Sequence, residues 1–367
     1  MSNRSGCLRL KQLPLHSLHA EQGAKFGPFA GFDMPLFYPA GIMREHQHVR
    51  SQAGLFDISH MVLVMLAGKD AAALVSHLCP YPADEQQPGK ARYTFFLNEQ
   101  AGVIDDLIVT RFATDRFMIV CNAACAEKDL AHIRSNAEGR DVAIEVLERV
   151  FLALQGPQAE AVLTKAGLDV AAMNFLDARE LADGWIVSRS GYTGEDGFEI
   201  AIPVGLADDF ARKLLADEHV MLIGLGARDS LRIEAGLPLY GQDLSDSITP
   251  MEAGLAWAIP KSHRDGGSFV GADALARKFA EGRSRKRVGI RPQGAAPVRA
   301  HAAVIDAAGK TIGEITSGGF GPSCGHPVAF GLIEANHEGA LFAELRGRQL
   351  PLEIASLPFT PHRYKRQ

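Results

Sequence analysis

Val103-Ile-Asp-Asp-Leu-Ile-Val-Thr-Arg-Phe112 is an apolar run with two acids in its middle, and its reading decides the fold. Gly102 opens it, and a second β-rich run, Phe117 to Cys121, follows almost at once and ends near Asn122. Two strands in succession, with no helix between them, do not fit a parallel βαβ repeat. The pattern continues outward without strict alternation. Upstream, Asp57 to Leu66 reads as a turn and a strand with Val62, Val64 and Leu66 on one face, and Gly68 to Leu78 as a helix. Downstream come a helix from Ala123 to Asn136, with Cys125, Leu130 and Ile133 inward, strands at Val142–Leu147 and Val150–Leu154, and a break at Gln155-Gly-Pro157. A helix over Gln158 to Ala166 follows, then strands at Trp185 to Arg189 and Phe198 to Ile202. This mixture predicts an α+β protein rather than a doubly wound sheet.

The C-terminal part changes character. Six short strand-like runs, Val288–Ile290, Ala302–Ile305, Gly313–Thr316, Val328–Leu332, Leu341–Leu345 and Leu350–Ile354, are spaced by Gly and Pro and predict a small β-barrel. A boundary near residue 283 divides the chain into 1–283 and 284–367. The basic cluster Arg283, Arg285, Lys286 and Arg287 at that boundary reads as a solvated linker, with a docking patch for an acidic partner as the sharper alternative.

Composition narrows the classes. The 367 residues, 47% hydrophobic and 22% charged, suit two or three globular domains of about 100–200 residues each. A formal charge of −5 argues against nucleic acid as the partner, because phosphate neutralisation needs a basic surface. Five Cys leave an odd thiol and suit a reducing compartment better than a disulfide scaffold. Apolar stretches stay well short of the roughly 18 residues that read as a membrane span. Met1 to Leu15 lacks the apolar core of a secretory signal; Arg4, Arg9 and Lys11 leave a transit-type segment and a frayed terminus both open.

The chemistry-bearing residues are few. Strand alternation puts Asp106 with Ile104, Ile108 and Phe112, and Asp105 with Val103, Leu107, Val109 and Arg111. Neither carboxylate suits burial without a partner. Either the pair ends a strand and caps a turn, or one carboxylate sits in an apolar cleft to bind or deprotonate an amine; the face argument favours Asp106. The loop Ser190-Gly-Tyr-Thr-Gly-Glu-Asp-Gly-Phe-Glu199 reads as a hairpin whose glycines let backbone N–H groups approach a ligand, with Glu199 just inside the next strand. Gly224-Leu-Gly-Ala-Arg-Asp229 precedes a helical run, Ser230 to Ala235, with Asp229 as its N-cap. An Arg at a helix start opposes the dipole, so Arg228 calls for an anionic partner such as a ligand carboxylate. The Gly-x-Gly lacks the context of a dinucleotide fingerprint. His46, His48 and His60 do not form a metal set, because His46 and His48 are not on one helix face, and Cys121 and Cys125 read as core thiols.

Six motifs in order, Leu55-Phe-Asp-Ile-Ser-His-Met61, Gly102-Val-Ile-Asp-Asp-Leu-Ile-Val109, Leu154-Gln-Gly-Pro157, Gly191-Tyr-Thr-Gly-Glu-Asp-Gly197, Gly226-Ala-Arg-Asp-Ser-Leu-Arg232 and Leu239-Tyr-Gly-Gln-Asp243, resemble the aminomethyltransferases, the T-protein family of the glycine cleavage system. The resemblance runs from about Leu13 to Tyr364. It implies a three-lobed, ring-like fold with a folate-binding channel, two lobes within 1–283 and the C-terminal β-barrel as the third. It implies transfer of the methylene carbon of an aminomethyl group, carried on the lipoyl arm of the H-protein, to tetrahydrofolate, with release of ammonia. No metal is expected, nor a nucleic-acid or membrane partner. It implies Asp106 as the catalytic carboxylate facing the pteridine, Glu199 as a pterin-binding carboxylate, and Arg228 as partner of the folate tail. Asn122, Tyr93, Met61, Tyr192 and Trp257 match pocket-lining positions, and Tyr364 a C-terminal Tyr reaching the pocket. The sequence departs from the family at Gln100-Ala-Gly102, where two glycines are usual, and at Cys324, a usually apolar position. A different tetrahydrofolate-dependent demethylase on the same fold is the rival enzyme. A non-catalytic folate-binding iron–sulfur assembly protein is the rival of another class, disfavoured because Gly236-Leu-Pro-Leu-Tyr-Gly-Gln-Asp243 lacks that paralogue's Cys. The expected location is the cytoplasm, or the mitochondrial matrix in a eukaryote.

Overall fold

The computed structural model describes residues 10–345 and 347–366, so most of the basic N-terminal stretch lies outside the described residues. Strands and helices mix without a repeating βαβ order, as expected for α+β.

Two sheets form the first two lobes. In one, five strands run in the order Lys90–Leu97, Val103–Ala113, Arg116–Cys121, Val62–Ala67 and Ala143–Val146. Its outer face packs against the helices Ala71–Leu78 and Ala126–Ala137 through Val64, Leu66, Leu74, Val75, Phe117, Ile119 and Ile133. In the other, six strands are centred on Arg149–Gln155, which pairs antiparallel with both Gly197–Pro203 and Ala53–Asp57. The helices Ala159–Lys165 and Val204–Leu215 cover its outer face. The inner faces of the two sheets share one core: Leu63, Met65, Met118 and Val120 from the first meet Phe56, Phe151, Ala153, Ile186 and Ala201 from the second. Period-2 alternation makes this possible, since each strand supplies one face to its own helices and one to the facing sheet.

The chain crosses between the sheets at Ile58–Met61, inside the Leu55–Met61 motif. Asp57 fixes the crossover: its carboxylate accepts from the Ser59 backbone N–H at 2.9 Å and lies 2.8 Å from His19 Nε2, while Tyr38 Oη lies 2.9 Å from His19 Nδ1. All three side chains are buried, and the chain leaves none of these polar atoms unpaired.

The third lobe is a closed six-stranded barrel: Arg285–Pro292, His326–Glu334, Thr311–Gly321, Ala303–Ile305, Leu341–Leu345 and Arg348–Ala355 in ring order. The six runs read from the sequence are these six strands. The basic cluster is not a solvated linker. Arg285 pairs with Glu252 at 3.0 Å, and the Arg287 guanidinium donates to the Ala253 and Gly236 carbonyls and lies over the Phe330 ring.

The barrel is fastened by buried charge on the helix Leu225–Glu234. Arg232 is sealed against Asp243 at 2.7 Å and donates to Ser317 of the barrel at 2.7 Å. Glu234 accepts from Arg50 at 3.0 Å and from the Ser323 backbone at 2.7 Å, and lies 3.1 Å from His46 Nε2. Burial pushes its carboxyl up, but these partners, with His46 foremost, outweigh it and hold the group down at about 2. The folded-state value lies below the unfolded one, so this stability is present above about pH 4.5 and is lost as pH falls toward 2. Glu234→Gln should destabilise the protein by about 3 kcal/mol at pH 7. In urea unfolding, the gap from wild type should shrink below about pH 4.5 and close only as pH approaches 2; a pH-independent gap would contradict the assignment.

Candidate functional site

Asp106 lies mid-strand in Val103–Ala113, paired across from Phe95, so neither acid ends a strand or caps a turn. Alternation sends Asp105 into the helix-covered core, fully buried, and Asp106 to the opposite face with an accessible edge. Asn122, just past the end of the neighbouring strand, bridges them. Its backbone N–H and Nδ2 each donate to Asp105 at 3.0 Å, and Nδ2 also reaches the Asp106 carbonyl at 3.0 Å and Oδ1 at 3.1 Å. The other Asp106 oxygen accepts from Tyr93 Oη at 3.0 Å. Trp257 stacks on the Tyr93 ring at 5.6 Å and 19°, and its outer surface is exposed.

Burial, then the adjacent Asp105 charge, raise the Asp106 carboxyl to about 7 against the opposing pull of Tyr93 and Asn122. Such a group exchanges a proton near neutrality, as general acid–base chemistry requires.

The second wall comes from the six-stranded lobe. Glu199 lies opposite Ser188 in the hairpin and accepts from Ser190 Oγ at 2.7 Å. Burial raises its carboxyl, opposed by Ser190 and Arg228. Arg228 lies 4.7 Å over the Tyr192 ring, and the Tyr192 hydroxyl donates to the Pro238 carbonyl. Burial pushes the Tyr192 hydroxyl up against the pull of Arg232, and the Asp106 charge adds to the rise. Met61 is half-buried on the inter-sheet core, beside the crossover. Tyr364 stacks on Phe175 at 4.0 Å and tilts against His362; among the described residues no hydrogen bond or ring contact joins it to Asp106, Glu199 or Arg228.

Two local readings need correction. The helix starts at Leu225 with Gly224 as N-cap, so Arg228 sits a full turn inside it. Asp229 is no cap; it pairs with Arg232 at 2.9 Å. The absence of a conventional cap side chain at Gly224 hid that start. Nor do the loop glycines all face a ligand. A Cβ on Gly191 would lie 1.8 Å from Gln155 Oε1, and one on Gly197 would lie 2.5 Å from the Leu154 carbonyl oxygen. Gln155 fills that space, donating to the Ser190 carbonyl at 2.9 Å and accepting from Thr193 at 3.0 Å.

Sequence reasoning missed Arg287 and His60. Arg287 reaches from the barrel to the Ala253 and Gly236 carbonyls, in the stretches that carry Trp257 and the Pro238 partner of Tyr192. Its position in a cluster of surface-looking basic residues concealed it. His60 is buried within the Leu55–Met61 motif with Nδ1 unpaired, and burial and Arg228 hold it neutral, down at about 3.

Two face-packed sheets joined to a closed barrel define the class of fold, and the carboxylate beside stacked aromatic rings is its candidate small-molecule site. The "GCVT N-terminal domain" description matches residues 15–263, and the "Glycine cleavage T-protein C-terminal barrel domain" matches residues 285–360. The chain belongs to the glycine cleavage T-protein family. It is 41% identical over 372 residues to a mitochondrial aminomethyltransferase of Pisum sativum, covering 97% of this chain and 90% of that protein. It is 39% identical over 369 residues to the one of Gallus gallus, covering 97% and 94%. The crystal structure of the glycine cleavage system aminomethyltransferase T from Bartonella henselae superposes with a TM-score of 0.96 at 49% identity, over 98% of this chain and all of that one.

Because Gln155 occupies the space beside Gly191, Gly191→Ala should cost about 1–3 kcal/mol by overpacking. Gly205→Ala, where a Cβ meets nothing within 4 Å, should be neutral or slightly stabilising. Thermal melts of the two variants check this; equal melting points would mean that the loop has room.

Proposed function

We propose that the protein transfers the methylene carbon of an aminomethyl-lipoyl group on the H-protein to tetrahydrofolate, releasing ammonia and the dihydrolipoyl carrier. Membership of the T-protein family supports the reaction class, and one observation carries the residue assignment: a carboxylate raised to about 7 and held by Tyr93 and Asn122 at the meeting of the lobes. Tetrahydrofolate is the acceptor substrate. Asp106 and Glu199 serve its pterin, Arg228 its tail carboxylates, and Tyr93, Asn122, Met61, Tyr192 and Trp257 line the pocket. Tyr364 is assigned to the C-terminal edge of this pocket by resemblance alone.

The transferred carbon starts between sulfur and nitrogen. Its bonds to sulfur and to ammonia break, and two bonds to folate nitrogens form. Two folate N–H protons end on the departing ammonia and on the thiol, so the reaction needs a proton carrier and no oxidant. Asp106 accepts a proton from the attacking folate and can return it to the leaving amine, while its charge stabilises the positive carbon–nitrogen centre between those steps. Tyr93 and Asn122 fix the carboxylate, so little is lost in reorganising it. The stacked Tyr93 and Trp257 rings exclude water from one side. The four described free thiols, at Cys79, Cys121, Cys125 and Cys324, suit the cytoplasm of a prokaryote or a mitochondrial matrix.

Asp106→Asn should lower kcat by about 10²–10⁴-fold while folate affinity changes by only a few-fold. Since Asp106 must be ionised to accept the proton, wild-type kcat/KM should fall as pH drops below about 7. Transfer assays with aminomethylated H-protein across pH 5.5–9 check both; unchanged turnover in the variant removes Asp106 from the chemistry. Transfer from a free methylated substrate without the carrier would favour the demethylase reading. Arg228→Gln should weaken folate binding about 10–100-fold through loss of a charged hydrogen bond. A folate analogue lacking the tail carboxylates should lose little by titration calorimetry; equal losses for both would separate Arg228 from the tail.

A further inference from the structure

Behind the Asp105–Asp106 pair lies a third carboxylate that the mechanism above does not use. Asp129, in the first turn of the helix Ala126–Ala137, is fully buried, and neither of its oxygens has a hydrogen-bond partner among the described residues. A ligand atom of Asp129, one of Asp105 and the Cys125 sulfur all lie within 4.8 Å of one another. Asp105 already receives two N–H donors from Asn122; Asp129 receives none.

The charged and titratable groups facing this pocket are few. The strand Arg116–Cys121 contributes the Cys121 thiol, the turn before the helix contributes Cys125, and the strand Val103–Ala113 contributes Asp105 with Asp106 on its far side. The helix's own Lys128 turns to Tyr240, lying 4.1 Å over its ring and donating to its hydroxyl at 2.5 Å. Two neighbouring carboxylates without a cation between them cannot both stay ionised in such a place. One proton is retained, and it belongs on the carboxyl that no N–H stabilises as an anion.

We propose that Asp129 is a positioning residue that keeps a proton and donates it to Asp105, holding Asp105 as a carboxylate whose charge and Asn122 contacts in turn set the ionisation and orientation of Asp106. Three carboxyls from one strand and one helix then form a row: Asp129 the donor, Asp105 the acceptor that Asn122 also holds, and Asp106 the exchanging group. The direction of the Asp129 shift, upward through burial and then through the Asp105 charge, agrees with this geometry. The assignment rests on the reading of Asp106 as the proton acceptor, but its test does not need turnover.

Infrared difference spectra of the full-length protein, recorded from pH 5 to 9, count protonated buried carboxyls by their C=O stretch. Wild type should show a band that titrates near pH 7 and is absent in Asp106→Asn, and another that persists above pH 8. Asp129→Asn should lose the persistent band and leave the Asp106 midpoint within about 0.3 pH units, since its amide still donates to Asp105. Asp129→Leu removes that donor and leaves Asp105 to Asn122 alone, so the Asp106 midpoint should shift by at least one pH unit, a tenfold change in proton affinity. A merely structural role moves neither band selectively. A persistent band surviving in Asp129→Asn overturns the proposal, and so does an unmoved Asp106 midpoint in a folded Asp129→Leu; if the Leu variant does not fold, the Asn variant decides alone. A divalent metal retained by the purified protein through chelator dialysis would also overturn it, because Asp105, Cys125 and Asp129 would then be ligands. Failure of the Proposed function appears elsewhere, as an absence of transfer in the wild-type protein.

Discussion

Neighbouring residues on a β-strand cannot share an environment, and this constraint organises the site. Asp105 and Asp106 are adjacent, so one must enter the helix-covered core when the other faces the junction of the lobes. A carboxylate in the core is tolerable only with donors, and Asn122 supplies them from the end of the next strand. The same amide then reaches across to Asp106. The core carboxylate thus does two things at once. It anchors the Asn122 turn at the start of the following helix, and its charge raises the proton affinity of its neighbour.

The surrounding architecture keeps that arrangement stiff. The two sheets share one inner core, so the strand that bears the acids cannot shift without disturbing Met65, Met118 and Phe56. The barrel is locked to the helix Leu225–Glu234 by Arg232 and Glu234, the same helix that presents Arg228. One helix thus carries both features: Arg228 lies over the Tyr192 ring, while Arg232 and Glu234, four and six residues further on, hold the barrel. Buried ion pairs add little net stability over apolar packing, but they tolerate only one geometry, which suits a site assembled from three lobes.

Much of this was legible in the sequence, and the exceptions have physical causes. The apolar run around Asp105–Asp106, the two-strand succession and the six barrel strands are period-2 patterns, and they stand where they were read. The orientation of Asp106 follows from the same alternation. What escaped was whatever depends on contacts distant in sequence. Arg287 looks like one of four linker cations, yet it is folded against Ala253, Gly236 and Phe330. Gly191 and Gly197 look like ligand-cradling glycines, yet Gln155 fills the space beside them. The helix at Leu225 begins with Gly224 rather than with Asp229, because its start is set by close packing against Leu36 rather than by a capping side chain. Asp129 is four residues from both Cys125 and Ile133, so helical spacing already puts it on the inward face; that it lies beside Asp105 with neither oxygen partnered is visible only in the packing.

The central claim is that one carboxylate, set by its buried neighbours, meets the folate where the three lobes join. A crystal structure of the protein with tetrahydrofolate tests it most directly. The account predicts a pterin within hydrogen-bond distance of the Asp106 carboxylate and of Glu199, with the glutamate tail directed to Arg228. A folate bound with its pterin elsewhere, leaving Asp106 in contact only with Tyr93 and Asn122, would contradict it.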